Sequence, residues 1–356
     1  MAFEWVANRI DKEKFNLNFI LLNPGDSDLE NYLVLNKIPF ERIKYEGKKD
    51  FFIAFLSVYK YLKRNKTDVV HTHLFDANLI GFIAAFLAGT PKRIYTRHHS
   101  DYHHQYFLQA VKYDKIVNFL ATSIISISEN VTQILLEKEK VPKKKIQLIY
   151  HGFLLEEFNI KDEERINRVI TLYNPYKKKP VIGVIARYTE WKGVQFIIPA
   201  FKKILKEYPD AVLIIANANG DYSNKIKKLL NELPKESYLE ISFENDIAAL
   251  YKTFDVFVHT PINQSCEAFG QTYVEALAAG VSSVFTLSGI ANEFIEDHRN
   301  ALVVSHQDSD AIYNAMRELL ENTALVEKLI LNGKKDVSAK FGLDQMVLSL
   351  EKLYGR

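Results

Sequence analysis

Along the chain, hydrophobic and polar positions switch repeatedly between two periods. Short runs dense in Val, Ile, Leu and Phe stand at 15–22 (FNLNFILL), 68–73 (DVVHTH), 92–99 (KRIYTRHH), 123–128 (SIISIS) and 145–150 (KIQLIY). Each predicts a strand. Between them, SDLENYLVLNKI, DFFIAFLSVYKYLKRNK, NLIGFIAAFLAG and NVTQILLEKEK carry apolar residues three and four apart, the spacing of one helix face. Strand, helix, strand at this spacing predicts parallel βαβ units, with apolar strands buried on both faces. The start reads as a helix with Phe3, Val6 and Ile10 on its apolar stripe.

Over 151–179 the alternation pauses in a charged, poorly periodic stretch that ends in Pro-Tyr-Lys-Lys-Lys-Pro. It restarts at PVIGVIARY (180–188), AVLIIANA (211–218), YLEISF (238–243), DVFVHTP (255–261) and SSVFTL (282–287). The expectation is an α/β chain of two Rossmann-like domains, 1–160 and 180–340, joined by a linker at 161–179. The last stretch, 341–356, is expected to form a helix crossing back to the first domain. Ligands of such open sheets sit beyond the carboxyl ends of the strands, so motifs there carry the most weight.

Composition narrows the classes. At 356 residues, 47% hydrophobic and 25% charged, the chain is of ordinary globular make-up and long enough for two cores. A net charge of +2 does not suggest a nucleic-acid partner. Cys266 is the only cysteine, so there is no disulfide framework. No apolar run reaches the ~18–20 residues of a membrane span. The first residues are acidic where a signal peptide would be basic and then apolar. A cytoplasmic location is expected.

Chemistry concentrates in SCEAFGQTYVEALAAG, 265–280. On one helix, Glu267 and Glu275 would lie about 80° apart and form no stacked pair. A helix starting near Phe269-Gly270 and ending at the C′ glycine Gly280 resolves this, with Val274, Leu277 and Ala278 as its buried stripe. Glu267 then sits on the loop at the helix N-terminus, and the Glu275 side chain leans back toward the same end. Helix N-termini favour phosphate, and carboxylates accept hydrogen bonds from hydroxyls beside it. A diphosphate between two polyhydroxylated rings fits, although a plain surface helix would also explain two glutamates. Arg187 and Lys192 follow the strand VIGVIARY. They form either a phosphate clamp, stabilising the charge of a departing nucleoside diphosphate, or a solvated basic turn.

Taken together, ARYTEWKG, ANANGD and DVFVHTPINQSCEAFGQTYVEALAAGV resemble the donor domain of the family-4 retaining glycosyltransferases of GT-B fold. The order and spacing match across most of 68–355. The resemblance implies two Rossmann-like domains with a cleft between them, and no metal or other cofactor. It implies that Arg187 and Lys192 hold the donor diphosphate, that Glu267 contacts the transferred sugar and that Glu275 bonds the ribose hydroxyls. Backbone amides of Phe269, Gly270 and Gln271 would approach sugar and phosphate. Thr96-Arg97-His98 matches the place of a family histidine that faces the donor sugar, so that role passes to His98.

Six of the ten histidines lie within 71–104. His71 and His73 point to one face of a strand, a spacing that can also bind zinc. His73 and His99 are the acceptor-side candidates. In helix 50–66, Phe52, Phe55, Val58, Tyr59 and Leu62 oppose Lys60, Lys63, Arg64 and Lys66. This is a packed Rossmann helix, or one lying on anionic lipid at the inner membrane face.

In the resembling family a strand and a glycine-rich loop precede the first helix. This chain begins at that helix, and His151-Gly152 stands where Asn-Gly is usual. The expected function is retaining transfer of a hexose-type sugar from a nucleotide-diphosphate sugar to a saccharide or lipid-linked acceptor, by front-face attack. Cell-surface polysaccharide or glycolipid synthesis is the expected setting. A nucleotide-sugar epimerase of the same fold and a non-catalytic nucleotide-sugar binder are the alternatives.

Overall fold

The computed structural model describes residues 2–355 and divides into two compact units. The first comprises the chain up to Phe153 together with the stretch from Leu343 onward; the second is Leu154–Gly342.

In the first unit, β1 (Phe19–Leu22) and β2 (Phe40–Ile43) pair in parallel. A separate parallel sheet runs β3 (Val69–His73), β4 (Lys92–Arg97), β5 (Ser123–Ser126) and β6 (Ile146–Leu148), neighbours in that order. Helices α1 (Ala2–Arg9), α2 (Asp28–Leu35), α3 (Phe51–Asn65), α4 (Phe75–Ala88), α5 (Tyr102–Tyr106), α6 (Ala110–Leu120) and α7 (Glu129–Gln133) connect the strands. Ser27 caps α2 by accepting from the Glu30 amide at 3.2 Å, which places the helix start where the Ser-x-x-Glu pattern puts it. The two sheets share one helical layer. Ile20 and Leu22 of β1 and Val70 of β3 pack on the same cluster of Val58, Leu62, Ile80 and Ala84. The C-terminal helix, Leu343–Gly355, buries Leu343, Met346, Val347, Leu350 and Leu353 in this unit, a stripe at helical spacing, and packs on α1.

The stretch 161–179, expected to be a linker, is instead built into the second unit. After α8 (Leu155–Phe158) it forms α9 (Glu163–Tyr173), which Asp162 caps by accepting from the Arg165 amide. Arg165 grips Asp246 with two nitrogens, at 2.9 and 2.7 Å, and the Tyr173 hydroxyl donates to Glu244 at 2.6 Å. Val169 is fully buried. The charges crowding Ile166, Val169 and Ile170 hide this stripe in the sequence.

The second unit's sheet holds β7 (Val181–Ile185), β8 (Val212–Ala216), β9 (Tyr238–Ile241), β10 (Val256–His259), β11 (Ser283–Phe285) and β12 (Leu302–Val303). The strands are all parallel, in the order β12-β11-β10-β7-β8-β9. Helices α10 (Val194–Glu207), α11 (Ser223–Leu230), α12 (Ile247–Lys252), α13 (Gln271–Ala279), α14 (Ser309–Glu321) and α15 (Thr323–Lys340) complete it. Every residue of β7, β8 and β10 is buried, as the continuous apolar runs require. The strand order reverses between β7 and β10, where Val256 lies opposite Ile182 and Phe257 opposite Gly183. A doubly wound sheet opens its ligand crevice at such a reversal, outside the carboxyl ends.

Candidate active site

The chain leaving β7 carries Arg187 and Lys192, and the chain leaving β10 carries Glu267, so the sheet reversal itself brings them together. Lys192 Nζ donates to Glu267 Oε1 at 2.5 Å. His259, the last residue of β10, places Nε2 3.3 Å from the same oxygen. Burial opposes ionisation of Glu267, but Lys192 and His259 outweigh it and hold the carboxyl well below the usual range. His259 is itself pushed down by burial, with Glu267 opposing. Arg187 is exposed at the same strand end.

The turn that aims Lys192 depends on a glycine. Gly193 adopts φ of +73°, and a β-carbon there would lie 1.8 Å from the Thr260 carbonyl oxygen. The loops after β7 and β10 thus touch backbone to backbone, a closeness that only glycine permits.

Helix α13 begins at Gln271, with Gly270 as its left-handed N-cap, and ends at Gly280, also left-handed. At Gly270 a β-carbon would meet the Tyr273 ring at 2.6 Å. No side chain caps this N-terminus through the Gly270 position, and Gln271 is exposed there. Phe269 is buried, which anchors the loop beneath it. The buried face of α13 is wider than the expected stripe, because Tyr273, Ala276 and Ala279 are buried alongside Val274, Leu277 and Ala278. Glu275, one turn in, accepts from the Tyr251 hydroxyl at 3.0 Å. Burial pushes its carboxyl up to about 7, with the Tyr251 bond partly opposing. The two glutamates therefore sit in opposite electrostatic states: Glu267 is firmly ionised, and Glu275 is poised to hold or release a proton near neutrality.

Three residues here escaped the sequence reading. His259 had a signal, as a polar residue closing a buried strand in DVFVHTP. Ser288, whose hydroxyl accepts from the Glu267 amide at 3.1 Å, and Tyr251 had none, since each acts through a contact more than 20 residues away in sequence. Burial pushes the Cys266 thiol up, which disfavours its thiolate.

The first unit gathers its histidines separately. His73 Nδ1 and His98 Nε2 share a hydrogen bond of 2.9 Å, and the His98 ring stacks on His151. His71 is engaged by the Tyr354 hydroxyl at 2.6 Å and by Thr96 Oγ1 at 2.8 Å. Burial lowers His98 to about 4 and, joined by the neighbouring His98, lowers His71 and His151 to about 3, so the column is uncharged at neutral pH. His71 and His73 do share a face, with ring centroids 4.3 Å apart. The closest grouping of metal-type side chains among the described residues lies elsewhere: His99, His103 and Asp114, with ligand atoms within 4.8 Å of one another. A cavity of about 240 Å³ adjoins this group, lined by Leu74, Phe75, His98, His99, Tyr113 and Asp114 among others.

A doubly wound sheet with an ion pair and a helix N-terminus at its reversal defines an α/β protein with its ligand crevice at that point. Comparison with known proteins gives the family. Residues 6–157 match the profile described as Glycosyltransferase Family 4, and 168–336 match Glycosyl transferases group 1. The Staphylococcus aureus capsular polysaccharide biosynthesis glycosyltransferase CapM is 27% identical over 96% of this chain and 90% of its own. An Escherichia coli UDP-Gal:alpha-D-GlcNAc-diphosphoundecaprenol alpha-1,3-galactosyltransferase is 25% identical over 85% of this chain and 78% of its own. Anabaena HepE, crystallised with UDP and glucose, superposes with a TM-score of 0.85 at 19% identity, covering 99% of this chain and 95% of its own. The chain belongs to the family-4 glycosyltransferases of GT-B fold, and it is a glycosyltransferase.

Proposed function

We propose that the protein transfers a hexose-type sugar from a nucleotide-diphosphate sugar to an acceptor hydroxyl with retention of anomeric configuration. The setting is polysaccharide or glycolipid synthesis. The observation that carries this reading is the pairing of half-buried Lys192 with buried Glu267 at the sheet reversal, beside the N-terminus of α13. A lysine and a helix N-terminus supply positive potential where a diphosphate leaves. Arg187 adds a second cation from the same strand end. Glu267, held ionised, accepts hydrogen bonds from sugar hydroxyls, and Glu275 accepts from the ribose. Backbone amides at Phe269, Gly270 and Gln271 approach the donor, and His98 faces the transferred sugar. The donor phosphate then takes the acceptor's proton as the new bond forms on the face the nucleotide leaves.

The relatives named for UDP-galactose transfer and capsular polysaccharide synthesis support a saccharide or lipid-linked acceptor. The reading is tested by incubating the protein with a panel of nucleotide sugars and following slow transfer to water by proton NMR. Release of the donor's own anomer, reduced about 10²-fold or more in Lys192→Ala, is expected. First release of the opposite anomer would overturn retention. A C2-epimerised nucleotide sugar would identify an epimerase. Tight nucleotide-sugar binding with no turnover, even with saccharide acceptors added, would identify a binding protein.

A further inference from the structure

The first unit carries an apolar surface that its own packing does not use. On α6, Asp114, Val117 and Asn118 face inward, while Tyr113, Ile116 and Phe119 face solvent at helical spacing. Phe119 is 79% exposed, and Leu108, in the turn before α6, is 70% exposed. Phe107 beside it is also exposed. A helix whose outward face is aromatic and aliphatic has an unusual solvent side, because water is the wrong neighbour for that face.

The charges around this face have one sign. Lys112 and Lys115 are exposed on the same side of α6. Lys145 Nζ donates to the carbonyls of Asn118 and Phe119 at the helix end, and the exposed Lys143 and Lys144 stand next to it. From Tyr102 to Ala121 the chain holds a single carboxylate, Asp114, and it is buried. Helix α3, the sequence-based candidate for lipid contact, differs on this point. It exposes Phe52 and Ile53, but Glu46 and Asp50 precede it, and Arg64 pairs with Glu41 at 3.3 Å. Aromatic and aliphatic residues among lysines, without exposed acid, match the boundary of an anionic lipid bilayer. A protein partner would need complementary carboxylates and a fitted surface, whereas a bilayer needs only apolar depth and negative charge.

The surface is also continuous with the cavity. Tyr113 is exposed on α6 and lines the cavity, and its ring meets Phe75 edge-on at 5.9 Å. Leu74, 69% exposed, is a further lining residue.

We propose that the first unit docks on an anionic bilayer through the outer face of α6 and the Phe107-Leu108 turn, and takes its acceptor from that bilayer through the adjoining cavity. The acceptor part rests on the glycosyltransferase reading above; the docking part does not. The acceptor's chemical class is then a membrane lipid bearing a saccharide or hydroxyl head group.

The test is sedimentation with vesicles of phosphatidylglycerol and phosphatidylcholine in equal parts, against vesicles of phosphatidylcholine alone. Calorimetric UDP binding, run in parallel, reports the donor site independently. Wild-type protein is expected to pellet with the anionic vesicles and to be released by high salt. Lys112→Gln with Lys115→Gln should weaken partitioning about thirty-fold. Leu108→Asp with Phe119→Asp should abolish it, and UDP binding should persist in both variants. These are exposed positions, and an unchanged circular dichroism melt confirms that the variants fold. Absence of vesicle binding by a wild type that binds UDP would overturn the docking while leaving the donor reading intact. Equal binding by the Asp variant would show the surface to be wrong. A dimer in light scattering that Phe119→Asp dissolves, without vesicle binding, would assign the face to a second copy of the chain.

Discussion

At the scale of single residues, the site separates two chemically identical side chains. Glu267 meets a lysine and a histidine within 3.3 Å, whereas Glu275 meets the Tyr251 hydroxyl. The usual carboxyl value of 4.5 rises to about 7 at Glu275, so its neutral form is favoured in the fold between those two values. In that window the folded protein holds a proton that the unfolded chain has released, so this contribution to stability is full below about 4.5, declines across the window and is gone once pH has climbed through about 7. In the proposed donor site ribose hydroxyls would donate to the ionised form, so nucleotide binding is expected to have the opposite dependence: it should tighten as pH rises from 6 to 8 and should release a proton. Calorimetry of UDP in buffers of different ionisation enthalpy measures that proton directly. Glu275→Gln should bind more weakly and lose the pH dependence; a retained dependence would place the titrating group elsewhere.

At the scale of elements, what was legible in the sequence depended on whether the signal was local. Continuous apolar runs such as VIGVI and VLIIA mark buried parallel strands whatever surrounds them, and both form as expected. Strand β2, FERI, went unread because it is short and half-exposed and its Arg42 pairs with Asp26 and Glu30. Strand β12 has two residues, too few to show a period. Lys192 and Glu267 stood out in the sequence because each lies within three residues of a glycine, at the turn after a strand or before a helix. The register of β7 against β10, which makes them one site, is set by pairing between distant segments and leaves no local trace. The turn at Gly193 illustrates the coupling. Gly193→Ala puts a methyl group into the Thr260 carbonyl at a left-handed position, and should cost about 2–4 kcal/mol and displace Lys192. Chemical denaturation and UDP affinity should therefore fall together, and a change in stability alone would show that the turn does not position the lysine.

At the scale of the whole molecule, the second unit is one uninterrupted length of chain, whereas the first is assembled from both ends. The fragment Leu154–Gly342 contains the entire six-stranded sheet and both glutamates. It should fold alone and bind UDP within about threefold of the full chain, which a melt and a titration would establish. An unfolded fragment would show that the first unit supports it. Among the described residues, no helix is long and apolar enough to cross a membrane. The return of the C-terminal helix to the first unit also fixes an order of events during synthesis. The Tyr354 hydroxyl that engages His71, and the five apolar side chains that cover this unit, leave the ribosome only after the whole of the second unit. At ordinary elongation rates the intervening second unit takes roughly 10–40 s to emerge. For that time the nascent first unit waits with its histidine column uncovered, while the unit made after it can already be complete.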